Sequence, residues 1–188
     1  MADFSGQTLR DRNFSEADLC DANFTDATII NCTFTRANLE GAIFRLAQIQ
    51  GAVSFDQANL QEAVFRGARI LDVIEPSRLT FLGANLHLAD LQDVNFQGAN
   101  LSNVDLSEAI LSSANLRRTN LTRADLSYSL LSDTNLKGAN LSNTDLNDAI
   151  LRRTNLRGAN LTGTDLSTAI LEDANLDEEE EEEDQGER

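Results

Sequence analysis

The chain has 188 residues, 31 acidic against 15 basic, a formal charge of −16, no tryptophan, one proline and one tyrosine. That balance excludes a general polyanion binder, so direct nucleic-acid binding is not expected, and no stretch approaches the ~18–20 apolar residues that a membrane span needs. Half of the acidity is local: residues 177–188, DEEEEEEDQGER, hold nine acids and one arginine, leaving residues 1–176 with 22 acids, 14 bases and the other −8. The amino terminus, MADFSGQTLRDRNF, lacks a basic region followed by an apolar run, and there are two cysteines, so a cytoplasmic location is expected.

From the start of the chain a large apolar residue recurs every fifth position: Phe4, Leu9, Phe14, Leu19, Phe24, Ile29, Phe34, Leu39, Phe44 and Ile49. A helix would spiral such residues around its axis, because five steps turn the chain by roughly 140° beyond a full turn. A strand would send them alternately to opposite faces. QGAVSF, at 50–55, adds one residue, and the run resumes at Phe55, Leu60, Phe65 and Ile70. LDVIEPSRLT, at 71–80, is a larger fault and contains the only proline, Pro76. From Phe81 the spacing holds through Leu86, Leu91 and Phe96 to Leu176, and every one of the nine phenylalanines is such a centre.

Two residues before the centre the side chain is usually small, as at Ala99, Val104, Ala109 and Thr119. Centre and small residue therefore point inward while the other three face water, which requires a short extended piece and a corner in every pentapeptide. Gln7 and Arg12 fill inward positions in the first turn, so that turn is expected to be loose. The residue before the centre carries a second period. From Asn100 to Asn175 it runs Asn, Asp, apolar, Asn, with Asp at 105, 125, 145 and 165 and an aliphatic residue at 110, 130, 150 and 170. A 20-residue period means four pentapeptides per coil, a square solenoid whose coils stack about 4.8 Å apart. The 34 pentapeptides make eight to nine coils.

Segments such as ANLSN, ADLSY, ANLTG and ANFTD follow the pattern A(N/D)LXX, and across residues 2–176 the chain resembles the pentapeptide-repeat proteins. The resemblance implies an all-β fold, a right-handed quadrilateral β-helix; it implies little about function. The expected organisation is a β-helix over 1–176, broken near 71–80, followed by a disordered acidic tail over 177–188. The tail would guard one open end of the solenoid against stacking, so the expected assembly is a monomer or an end-to-end homodimer through the amino-terminal end.

Four features are candidate sites. Asp105, Asp125, Asp145 and Asp165 form an acidic face, and Ile110, Leu130, Ile150 and Ile170 an apolar strip on the neighbouring face. Arg117, Lys137 and Arg157 form a basic stripe opposite the aspartates, and Leu71, Val73 and Ile74 give the fault the apolar content of a recognition loop. Some relatives are proposed to imitate DNA and bind type II topoisomerases, but the magnitudes argue for caution. B-DNA carries about 24 charges over 40 Å, against a net −8 for the whole repeat body.

Catalytic readings find no support. The single histidine, His87, follows a centre at the surface, Cys32 faces inward and Cys20 outward, and no Cys/His spacing suggests a metal. An interior of Leu, Phe, Ala and Thr leaves no cavity for a substrate. The expectation is a cofactor-free, non-enzymatic binding or scaffold module with an unidentified protein partner; the alternative is a DNA-mimicking modulator of gyrase acting through the acidic face.

Overall fold

The computed structural model describes residues 1–70 and 79–176. Short parallel pieces stack coil upon coil: β1 (Thr8–Arg10), β2 (Thr28–Ile30), β3 (Gln48–Gln50) and β5 (Arg69–Ile70) form one ladder, and β4 (Val53–Ser54) pairs with β6 (Leu79–Thr80). Elsewhere single parallel bridges join equivalent residues of successive coils. Four columns of pre-centre residues result, one per face. The first runs Asp3, Asn23, Ile43, Val64, Asp90, Ile110, Leu130, Ile150, Ile170. The second runs from Thr8 through Arg69 to Asn175, the third from Asn13 through Ser54 and Thr80 to Asn160, and the fourth from Asp18 through Asn85 to Asp145.

A pentapeptide makes a corner because the centre's carbonyl accepts the N–H three residues on, as in Ala109 to Leu106 at 3.1 Å, with the intervening Glu108 at a φ of 58°. A left-handed third residue is the requirement of a type II turn. Non-glycine residues pay a steric penalty there, offset because each corner also bonds to the next coil, as Glu108 N–H does to Ser127 O at 2.9 Å.

Every glycine in the described residues has a positive φ of this left-handed kind. Gly51, with a φ of 66°, lies where a Cβ would collide with Oδ1 of Asn31, the acceptor of the Ala52 N–H at 3.1 Å. Gly51→Ala is expected to lower stability by roughly 1–3 kcal/mol. Gly6→Ala, with open space around it, should lose only the smaller conformational part, as urea midpoints will report.

The core is built from two stacks of phenylalanine. Phe4, Phe24, Phe44 and Phe65 lie parallel under the first face with centroids 4.5–4.9 Å apart. Phe14, Phe34, Phe55 and Phe81 do the same under the third, at 4.8–5.0 Å. The stacks meet edge-to-face across the axis, for example Phe44 on Phe55 at 5.5 Å. Beyond Phe96 leucine takes over, and inward threonines bond back, Thr134 and Thr144 donating to Leu111 O and Leu121 O at 2.7 and 2.8 Å.

Both ends of the described rod are open. Phe4 and Phe14 are half-buried, and Gln7 and Arg12 are exposed rather than inside, as a first coil without a lower neighbour allows. The sequence could not align faces across the fault, whereas the bridges do. Asn59 meets Asn85, Val64 meets Asp90 and Arg69 meets Asn95, so this coil holds 26 residues, six more than the regular 20. Leu79 and Thr80, counted with the fault by sequence, are strand residues, Leu79 being buried in an inward position. Leu71, Val73 and Ile74 lie outside the described residues, as does the tail 177–188.

Candidate functional site

The fourth and first faces meet along one edge and bring the acidic ladder beside the apolar strip. On the first face Leu130 and Ile170 are 37% and 41% exposed, and Ile110 and Ile150 are half-buried. The strip is longer than the sequence could show. Ile43 and Val64 continue the column below the fault, with Asp90 the single polar interruption between Val64 and Ile110. The signal was in the sequence, but the fault hid the register. On the shared edge Tyr128 is 60% exposed, and Tyr128, Glu108, Ile110 and Leu130 line an open groove of about 440 Å³.

In the ladder, Asp105 and Asp125 each accept a backbone N–H and a hydroxyl from the serine two residues on, Ser107 at 3.0 and 2.6 Å and Ser127 at 2.9 and 2.6 Å. Asp145 accepts the Asn147 N–H at 2.9 Å. The carboxylates therefore fold their own corners as well as facing solvent. Asp165 differs: among the described residues the backbone bridges run only to Asp145, and a groove of about 290 Å³ opens between the two. The Ser167 N–H still caps Asp165 at 2.9 Å and holds its carboxyl below the ordinary carboxylate range.

Comparison with the asparagine columns shows what aspartate costs here. Asn115 caps the Arg117 N–H through Oδ1 at 3.3 Å and also donates Nδ2 to Asn95 at 2.9 Å, one coil away. Asn120 does the same for Thr122 and Asn100. Aspartate keeps the cap, loses the donor to the neighbouring coil and adds repulsion. The triple substitution Asp105→Asn, Asp125→Asn, Asp145→Asn is therefore expected to stabilise the rod by about 1 kcal/mol at low salt, with a smaller gain at high salt, in urea titrations. A column worse than its alternative for folding is where a functional demand should be sought.

The remaining candidates separate. Arg117, Lys137 and Arg157 stand at the corner after the second face, two faces from the ladder. Cys32 is buried, its Sγ 3.4 Å from Ile30 O, and burial pushes its thiol up; Cys20 is exposed, and both are free. His87 Nδ1 lies 2.9 Å from Ser107 Oγ, which donates to Asp105 at 2.6 Å. This Asp–Ser–His order inverts a nucleophile–base relay, in which the imidazole lies between hydroxyl and carboxylate. The serine proton is held by Asp105, and Ser127–Asp125 repeats the arrangement without a histidine, so it is a corner motif. Among the described residues no group of His, Cys, Asp and Glu could hold a metal ion, and no helix is long and apolar enough to cross a membrane.

A family profile described as pentapeptide repeats matches residues 2–36, 78–107, 89–127, 99–138 and 134–173, and a second of the same description matches 34–73. The chain belongs to the pentapeptide-repeat family. This pentapeptide-repeat protein thus has the right-handed quadrilateral β-helix that the resemblance implied. HetL, a pentapeptide repeat protein involved in heterocyst differentiation regulation in the cyanobacterium Nostoc sp. strain PCC 7120, is similar at 30% identity and a TM-score of 0.63, over 93% of this chain and 78% of its own. A trypsin-treated form of QnrB1, a plasmid-mediated fluoroquinolone resistance protein, gives the same TM-score at 20% identity over 93% and 85%, a likeness of fold alone. Rfr23, a pentapeptide repeat protein from the cyanobacterium Cyanothece 51142, is 32% identical over 69% of this chain and 87% of its own, with a TM-score of 0.45. No curated protein matches the chain.

Proposed function

We propose that the protein is a non-enzymatic binding module of a reducing, cytoplasmic compartment. It holds a protein partner on the edge shared by the first and fourth faces of its carboxyl-terminal half. The observation that carries this reading is the juxtaposition of Ile110, Leu130, Ile150 and Ile170 with the Asp105–Asp125–Asp145 column across one corner. Aliphatic side chains in a continuous row, Leu130 and Ile170 exposed and Ile110 and Ile150 half-buried, favour a partner surface that is itself apolar. Carboxylates that the fold would replace with asparagine favour basic residues beside it. The partner chemistry that fits is an aliphatic ridge flanked by lysine or arginine. The strip supplies most of the affinity, and the rim charges supply orientation and association rate.

The ladder also favours a second reading, a DNA-mimicking modulator of gyrase, because its carboxylates recur at every coil, and because of the fold shared with QnrB1. The first reading is preferred because the charge density of the body is low and two ladder carboxylates are doubly bonded to their own serines. Gyrase supercoiling with the protein titrated in, with and without a fluoroquinolone, separates the two. The mimic reading requires inhibition or drug protection that the triple asparagine variant lacks. The strip reading requires no effect on gyrase and partner binding that survives that variant with a reduction of only a few-fold.

A further inference from the structure

Along the corner where the fourth face turns into the first, equivalent positions of successive coils are Leu88, Glu108, Tyr128 and Asp148. The Glu108 N–H bonds to Ser127 O at 2.9 Å, so Tyr128 stands one coil, about 4.8 Å, from Glu108. Two residues on, Ile110 and Leu130 are bridged to each other on the first face. These four residues line the open groove of about 440 Å³.

Tyr128 is strained there. Its φ is 58°, and among the described residues it is the one aromatic side chain held at a left-handed angle. Bulky residues seldom take that conformation. The side chain is 60% exposed, so burial offsets little of the strain. A strained aromatic that faces solvent points to a demand other than folding. Its surroundings define the ligand. Residues 84–88, 104–108, 124–128 and 144–148, which make the fourth face and this corner, include Asp105, Glu108, Asp125, Asp145 and Asp148 but no lysine or arginine. A cation is favoured, and Ile110 and Leu130 favour one on a hydrocarbon stem. Arginine meets both demands, because its planar guanidinium stacks on a phenol ring and forks to a carboxylate while its methylenes cover aliphatic surface. The compact ammonium of lysine forgoes the stacking and the fork.

We infer that the groove of Glu108, Ile110, Tyr128 and Leu130 captures an arginine side chain of the protein partner. The guanidinium lies between the Tyr128 ring and the Glu108 carboxylate, and the stem runs along Ile110 and Leu130. This rests on the binding edge proposed above and names the residue that the edge selects.

The site carries its own reporter, because Tyr128 is the only tyrosine of a chain without tryptophan. The full chain, labelled with 15N, is titrated with the tripeptide acetyl-Ile-Arg-Ile-amide and with its lysine and citrulline counterparts. Tyr128 fluorescence and the backbone amide resonances are followed together. The arginine peptide is expected to give a saturable change in Tyr128 emission, with the Ile110 and Leu130 amides shifting at the same midpoint. The midpoint should be about five-fold higher for citrulline, the combined worth of an exposed cation–π contact and an exposed ion pair, and about two-fold higher for lysine. Glu108→Gln should raise the arginine midpoint about three-fold and leave the citrulline midpoint unchanged. Equal midpoints for arginine and either counterpart would overturn the proposal, as would no response to the arginine peptide up to its solubility limit. So would an arginine midpoint indifferent to Glu108→Gln, or amide shifts confined to the second and third faces. The peptide comparison uses the native chain, so a variant that fails to fold leaves the test intact. The arginine site can fail in this way while the wider edge stands, because partner adducts at Leu130 test the edge without the peptides.

Discussion

Replacing Phe44 by alanine is expected to destabilise the rod by about 4 kcal/mol or more, as for a large aromatic side chain removed from a packed core. The ring is fully buried, stacked on Phe24 at 4.6 Å and Phe65 at 4.5 Å and met edge-on by Phe34 and Phe55. Truncation removes its transfer free energy and leaves a cavity between two coils whose backbones are fixed by bonds to their neighbours, so the gap cannot close by collapse. Phe4→Ala at the open end should cost less than half as much, because that ring is half-buried and stacks on one side only. Urea unfolding followed by far-ultraviolet circular dichroism checks both. In a solenoid each coil leans only on its neighbours, so the Phe44 variant should also broaden the transition as the two halves uncouple.

The double substitution Leu130→Ser, Ile150→Ser is expected to weaken partner binding about 100-fold. That follows from removing two aliphatic side chains worth about 1.5 kcal/mol each when an interface covers them. The fold should tolerate the change, because both side chains are already partly in water and the backbone bridges Ile110–Leu130 and Leu130–Ile150 do not depend on them. Titration calorimetry against the partner, with a melting curve as control, separates loss of the surface from loss of the fold. Asn115→Ser with Asn135→Ser on the second face should leave the affinity unchanged.

The architecture was legible in the sequence because one pattern states it many times. The five-residue recurrence of centres gives the corners, and the 20-residue recurrence of Asp and Ile before them gives four sides, both of which the columns of bridges reproduce. Legibility stopped at the faults. Six extra residues in one coil shift every later residue number against the earlier columns, so Ile43 and Val64 could not be assigned to the strip until Val64 was seen against Asp90. The hydrogen bonds of the ladder were hidden for another reason. Aspartate and asparagine both cap the corner, and only the geometry reveals that the asparagines also donate across coils while the aspartates do not. The stacking of cations on one corner was visible in the spacing of Arg117, Lys137 and Arg157.

The most direct test of the binding edge is face-resolved photo-cross-linking. p-Benzoylphenylalanine is placed singly at Leu130 on the first face, Asp125 on the fourth, Asn135 on the second and Asn120 on the third, and irradiated in the cells that make the protein. All four positions are pre-centre residues of neighbouring pentapeptides, so they differ in face and in little else. The account predicts one partner adduct from Leu130, the same adduct more weakly from Asp125, and none from Asn135 or Asn120. Adducts from Asn135 or Asn120 with none from Leu130 would contradict it.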